Sequence, residues 1–136
     1  MMRVVPELGP LGTPFWEALR DGRIVVQSCL VCGALQHPPL PRCARCLGCD
    51  LTWQEVGRRG ELYAFTVVHH ATHVAFSDRV PYVVGLVELA PGVRIVGRIR
   101  AVVSTLHVGM PLSAEFEQLT DEVALISFAA TEHAAE

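Results

Sequence analysis

Five cysteines between residues 29 and 49 constrain this chain more than any other feature. Cys29-Leu30-Val31-Cys32-Gly33 is a CxxC knuckle followed by glycine, and Cys43-Ala44-Arg45-Cys46 repeats the spacing ten residues later. Two residues between thiolates let one tight turn aim both sulfurs at a single ion. The pattern CxxC-x10-CxxC therefore supplies four ligands for a tetrahedral zinc, Cys29, Cys32, Cys43 and Cys46. Cys49 makes a second knuckle of equal spacing with Cys46, so one thiol is left over and packs as a small apolar residue under the ribbon. A ferredoxin run would need a fourth cysteine after Cys43, Cys46 and Cys49, and none follows. His37 is not needed when four thiolates suffice. A four-sulfur site has no open position, so its zinc is structural and not catalytic.

Disulfides are the rival use of cysteine in a short chain. The N-terminus, MMRVVPELGPLG, lacks a basic start followed by a long apolar run, so it does not read as a secretory leader. The expected setting is reducing and cytoplasmic, where thiols bind metal sooner than they pair.

The rest of the chain divides around this cluster. Residues 1–22 form an N-terminal helical segment: Thr13 is expected as helix cap with Pro14 at the first helical position, followed by Phe15-Trp16-Glu17-Ala18-Leu19-Arg20 and a stop at Asp21-Gly22. Residues 23–52 form the metal ribbon, entered by a strand from Arg23 to Ser28; with Pro38, Pro39 and Pro41 between its knuckles it has too little apolar material for a core of its own. Residues 53–130 read as all-β, with strands at Glu61 to His70, Tyr82 to Leu89, Val93 to Arg100, Leu112 to Glu117 and Val123 to Phe128. Five short strands without a long helix suit the small closed OB-fold barrel, with a sandwich fragment as the alternative. The tail, 131–136, is expected to be frayed.

Composition narrows the function classes. Apolar residues make up 51% of 136, and only 18% are charged. Such a chain is not disordered, and no apolar run approaches the roughly 20 residues of a membrane span. All 11 basic residues are arginine, but a net charge of −3 provides no global field for nucleic acid or anionic membrane. The surplus apolar surface points to a partner or a greasy ligand.

Candidate binding residues follow from this. On the strand Val93 to Arg100, Arg94, Arg98 and Arg100 share one face with Val96, while Ile95, Gly97 and Ile99 share the other. Two readings stand open: guanidiniums gripping phosphates, or ion pairs with Glu88, Glu115 or Glu117 on neighbouring strands. Arg58 before the first barrel strand and Arg42 in the ribbon are further phosphate candidates, and Phe15 and Trp16 either pack onto the ribbon or wall an apolar channel. His69, His70 and His73 lack a helical period, so they read as polar residues at a strand exit and not as a second metal site. A loop from Ala71 to Val80, with Phe76 in it, is a candidate binding edge. No nucleophile elbow, Walker loop, dinucleotide fingerprint or HExxH is present.

Taken in order, these features resemble a known family. The Phe15-Trp16 helix, the two CxxC knuckles with Pro38-Pro39 between them, Tyr63-Ala64-Phe65-Thr66-Val67-Val68-His69, Pro81-Tyr82-Val83-Val84 and Gly109-Met110-Pro111-Leu112 look like the domain-of-unknown-function 35 family over residues 13–129. The resemblance implies an N-terminal helix, a rubredoxin-like zinc ribbon and an OB-fold. It also implies a non-catalytic accessory subunit that binds acyl-CoA and stabilises a thiolase-like, lipid-transfer-type or MaoC-type hydratase partner in lipid or sterol side-chain metabolism. Cys29, Cys32, Cys43 and Cys46 match the family's metal positions, whereas Cys49 is an addition. The rival reading is a nucleic-acid-binding ribbon and OB-fold module, opposed by the missing lysine and the 7% aromatic content.

Overall fold

The computed structural model describes residues 9–70, 74 and 80–131. A 3-10 turn, Pro10–Gly12, runs straight into helix α1, Thr13–Arg20. Thr13 is therefore not the cap expected of it. The preceding turn already holds helical dihedrals, Gly12 stands at the cap position, and the Thr13 hydroxyl reaches back to the Gly9 carbonyl at 3.4 Å. The stop at Asp21-Gly22 holds: the Asp21 and Arg23 amides donate to the Ala18 carbonyl, and Gly22 takes a φ of +70°.

The ribbon is a three-stranded antiparallel sheet, β2-β1-β3, of β1 (Ile24–Cys29), β2 (Leu35–Gln36) and β3 (Leu51–Val56). The sequence reading did not nominate β3, which carries only three apolar residues and pairs with β1 from Ile24↔Val56 to Cys29↔Leu51. Its register comes from its partner, since β1 is buried on both faces.

Five further strands close into a barrel in the order β4-β5-β6-β8-β7. They are β4 (Arg59–Val68), β5 (Tyr82–Ala90), β6 (Val93–Arg100), β7 (Pro111–Gln118) and β8 (Ala124–Ala130). All pairings are antiparallel except β6 with β8, which run parallel. Five strands closed in this order form an OB-fold barrel. The β6 alternation is as the sequence implies, with Val93, Ile95, Gly97 and Ile99 inward and the arginines outward. Glycine at 85 and 97 lets the barrel close. These two residues pair across β5 and β6, and a Cβ on Gly85 would lie 2.8 Å from Ile99, one on Gly97 3.0 Å from the ring of Phe128.

Helix α1 plugs the barrel. Its amphipathic face buries Phe15, Ala18 and Leu19, and Phe15 and Leu19 join Ile24 of the ribbon and Leu62, Leu112 and Phe128 of the barrel in one hydrophobic cluster. Helix, ribbon and barrel thus share a core, and the surfaces between them are held in fixed relation. No helix among the described residues is long and apolar enough to cross a membrane.

Candidate metal centre and adjoining cleft

Strand β1 ends on Cys29, and the chain turns at once: the Gly33 amide donates to the Cys29 carbonyl at 2.9 Å, with φ +78° at Gly33. The second knuckle closes in the same way, by the Leu47 amide on the Cys43 carbonyl at 2.9 Å. Here the left-handed residue is Leu47, at φ 65°. The two turns bring the Sγ atoms of Cys29, Cys32, Cys43 and Cys46 within 4.8 Å of one another, with 3.5 Å from Cys29 to Cys46 and 3.6 Å from Cys32 to Cys43. Tetrahedral thiolates at a Zn–S length of about 2.3 Å stand about 3.8 Å apart, so this donor set fits zinc. Cys49 lies outside the cluster and is exposed, so it does not pack under the ribbon as the sequence led us to expect. Among the described residues no other group of histidines, cysteines or carboxylates has metal-binding geometry; His69 and His70 are exposed at the end of β4, and His73 lies outside the described residues, as does Phe76.

Backbone amides prepare these sulfurs for charge. The Cys46 and Arg45 amides donate to Cys43 Sγ, each at 3.4 Å, and hold that thiol down at about 6. The Cys32 amide likewise lowers Cys29. Cys46 receives the Gly48 amide, which favours its thiolate, but the sulfur of Cys29, burial and the sulfurs of Cys43 and Cys32 together outweigh this and push it up to about 12. Without a cation the cluster cannot carry four negative charges, and Cys46 keeps its proton.

A buried glutamine ties this centre to the rest of the ribbon. Gln27 on β1 is 3% exposed. Its Nε2 donates to the Leu40 carbonyl at 3.0 Å, and its Oε1 accepts from the Leu40 amide at 2.8 Å and from Gln36 Nε2 at 2.7 Å. Gln36 in turn donates to the Arg42 carbonyl at 3.1 Å and accepts from the Ala44 amide at 2.8 Å, on either side of Cys43. The sequence analysis missed this pair. The available signal was a polar side chain at Gln27 amid the apolar run of β1.

The segment between the knuckles also forms one wall of a cleft of about 490 Å³. His37 and Pro38 line it together with Phe15, Trp16 and Leu19 of α1. Its floor and far wall are Arg94–Val96 of β6 with Leu125 and Ile126 of β8. The His37 ring lies 4.8 Å from that of Phe15, its Nδ1 is buried without a hydrogen-bond partner, and burial holds the imidazole below its ordinary value, in the neutral form. A shallower groove of about 230 Å³ lies on the outer face of the barrel, beneath Phe65 and over Val84 and Gly85. Leu86 and Val96 line both depressions, so the apolar surface runs unbroken from α1 to β4. Val96 is 60% exposed, and Tyr63, beneath the Arg94 guanidinium, 46%.

The candidate arginines fare differently. Arg94 lines the cleft, but its side chain pairs with Glu88 at 3.2 Å and lies over the Tyr63 ring at 3.8 Å. Arg100 pairs with Glu115. For these two the ion-pair reading holds. Arg98 is exposed and makes no ion pair among the described residues. Arg42 braces the second knuckle through the Leu47 carbonyl, at 3.2 Å, and lines neither depression; nor does Arg58, whose carbonyl accepts from the Ala114 amide at 2.7 Å.

Comparison with known proteins agrees with this architecture. Residues 16–52 match the rubredoxin-like zinc ribbon domain of ChsH2, and residues 53–117 match its C-terminal OB-fold domain. The chain is 37% identical over 116 residues to a probable enoyl-CoA hydratase alpha subunit of Thermomonospora curvata, covering 84% of this chain and 36% of that one. It is 34% identical over 108 residues to the 3-oxo-4,17-pregnadiene-20-carboxyl-CoA hydratase alpha subunit of Mycobacterium tuberculosis, covering 79% of this chain and 34% of the relative. It thus spans about a third of the length of both hydratase subunits. A DUF35 domain-containing scaffold protein of Methanocaldococcus jannaschii is 28% identical over 111 residues, with 79% and 77% covered. Among solved structures, a chain of the Ltp2-ChsH2(DUF35) aldolase superposes with a TM-score of 0.81 at 33% identity, covering 93% of this chain and 98% of that one. The ribbon fold and the clustered thiols together make zinc the structural cofactor. With the ribbon, the barrel and these relatives in agreement, the chain belongs to the DUF35 family of zinc-ribbon and OB-fold proteins.

Proposed function

We propose that this protein is a non-catalytic accessory subunit, cytoplasmic in setting, that docks on a thiolase-like or hydratase-type enzyme and helps hold its acyl-CoA. Cys29, Cys32, Cys43 and Cys46 hold the zinc that braces the ribbon. The observation that carries the reading is the unbroken apolar surface through Leu86 and Val96, too large and too aromatic at its rim for a face meant only for water. The groove beneath Phe65 receives the acyl portion, and the cleft beside Phe15 and Trp16 receives the enzyme. The names of the relatives, hydratase subunits, an aldolase assembly and a scaffold protein, support a role beside an enzyme of acyl-CoA chemistry in lipid or sterol metabolism. Against the nucleic-acid reading, glutamates already engage two of the three β6 arginines.

Co-expression with the thiolase-like and hydratase-type enzymes encoded beside it tests this. The expected result is a stoichiometric complex by size-exclusion chromatography with light scattering, with the enzyme's acyl-CoA turnover raised in the complex. Val96→Asp, at an exposed position, leaves the fold intact and breaks the complex. A chain that elutes alone with every such enzyme and leaves turnover unchanged refutes the reading.

A further inference from the structure

Strand β6 is flanked unequally. On one side it pairs with β5 along its length, from Val93↔Ala90 to Ile99↔Val83. On the other it pairs with β8 only over Arg98–Arg100, opposite Ser127–Ala129. At Gly97 the two strands are still close, since a Cβ there would lie 3.4 Å from the Ile126 carbonyl oxygen. Before that point they part, and the cleft opens in the gap, with Arg94, Ile95 and Val96 on one lip and Leu125 and Ile126 on the other. Among the described residues, no loop or helix backbone hydrogen-bonds to residues 93–97. Alternate residues of a strand in an antiparallel pair direct their N–H and C=O groups away from that partner. This lip therefore offers main-chain donors and acceptors that no backbone among the described residues answers, as an open sheet edge does.

The chemistry of the gap selects its occupant. The walls are apolar and aromatic, which an aliphatic chain would satisfy, but an aliphatic chain leaves the main-chain groups of the lip without partners. Burying such a group unpaired costs about 1–3 kcal/mol. A second extended backbone answers both, donating and accepting along the lip while its alternate side chains enter the cleft. Charge adds a direction: Arg98 stands on the same outward face as Arg94 and Val96, where the seam closes, and has no ion pair among the described residues.

We propose that an extended segment of the partner enzyme enters this gap and adds as a strand to the free edge of β6 alone. It hydrogen-bonds the edge along Arg94–Val96, places apolar side chains at alternate positions against Trp16 and Leu125, and carries a carboxylate to Arg98. This inference rests on the accessory-subunit reading and names how the enzyme is gripped.

The test uses the zinc-loaded full chain, labelled with 15N, and an acetylated, amidated hexapeptide that alternates valine with threonine and ends in glutamate. Two control peptides carry N-methyl groups either on the valines or on the threonines; octanoate is the aliphatic control. A strand added to one edge directs only alternate amides at that edge. The expected result is saturable shifts and slowed exchange at the amides of residues 94–96, with one methylated peptide bound about tenfold more weakly than the other, the loss of about two main-chain hydrogen bonds. Equal binding of the two methylated peptides overturns the proposal, as does octanoate shifting the same amides as strongly, or no saturation below about 1 mM. Failure here with an intact enzyme complex refutes strand addition alone, whereas failure of the complex to form refutes the reading beneath it.

Discussion

Replacing Gln27 by methionine isolates what the buried amide contributes, because the two side chains have similar length and shape. The change removes three hydrogen bonds, to the Leu40 carbonyl, from the Leu40 amide and from Gln36 Nε2. At about 1 kcal/mol net for each bond the loss is about 3 kcal/mol. Burying a thioether in place of an amide returns about 1 kcal/mol. The expected destabilisation is therefore about 2 kcal/mol. With m near 2 kcal/mol/M, the urea midpoint falls by about 1 M at unchanged slope. Thermal unfolding at saturating zinc shifts down by roughly 6–10 °C. Because Gln36 also braces Arg42 and Ala44 around Cys43, the same substitution weakens zinc retention against a competing chelator. A midpoint within 0.2 M of wild type, together with unchanged zinc retention, would show that the amide is a passenger and that the knuckle segment is held by zinc alone.

Three further predictions concern the zinc and the barrel. Elemental analysis should find one zinc per chain in wild type and in Cys49→Ser and none in Cys43→Ser; zinc loss in Cys49→Ser would mean that the ligand register differs. The apparent zinc affinity should rise with pH above about 6, because loading must remove the proton held on Cys46 at about 12, and it should fall more steeply below about 6, where Cys43 also takes a proton; a flat profile from pH 6 to 9 refutes this ordering of the thiols. In the barrel, Gly97→Ala sets a methyl 3.0 Å from the Phe128 ring, which is fully buried, and should cost about 1–3 kcal/mol by chemical denaturation; a neutral result would mean that the ring has room to move.

Much of the architecture was legible because it depends on short periods and spacings. The alternation of β6 and the apolar face of α1 are local patterns, and both came out as expected. β3 was not legible, because its residues form a strand only against the buried β1. The cap misreading at Thr13 has a similar origin: a cap is defined by the conformation of what precedes it, and Pro10–Gly12 is itself a turn of helix. Of the candidate site residues, Phe15, Trp16 and Arg94 come together in one cleft, while Arg42 and Arg58 line neither depression, since nothing in one-dimensional spacing distinguishes a cleft-lining arginine from a bracing one.

By itself, the sequence determined that this chain carries a thiolate metal centre, a short amphipathic helix and five strands after the ribbon, because knuckle spacing and strand period are set within a few covalent bonds. Only the tertiary structure decided which of five thiols stands apart, which arginines are neutralised by glutamates, and that β6 and β8 part to open a cleft. Those outcomes depend on how distant segments are placed against one another, and that placement comes from filling a shared core.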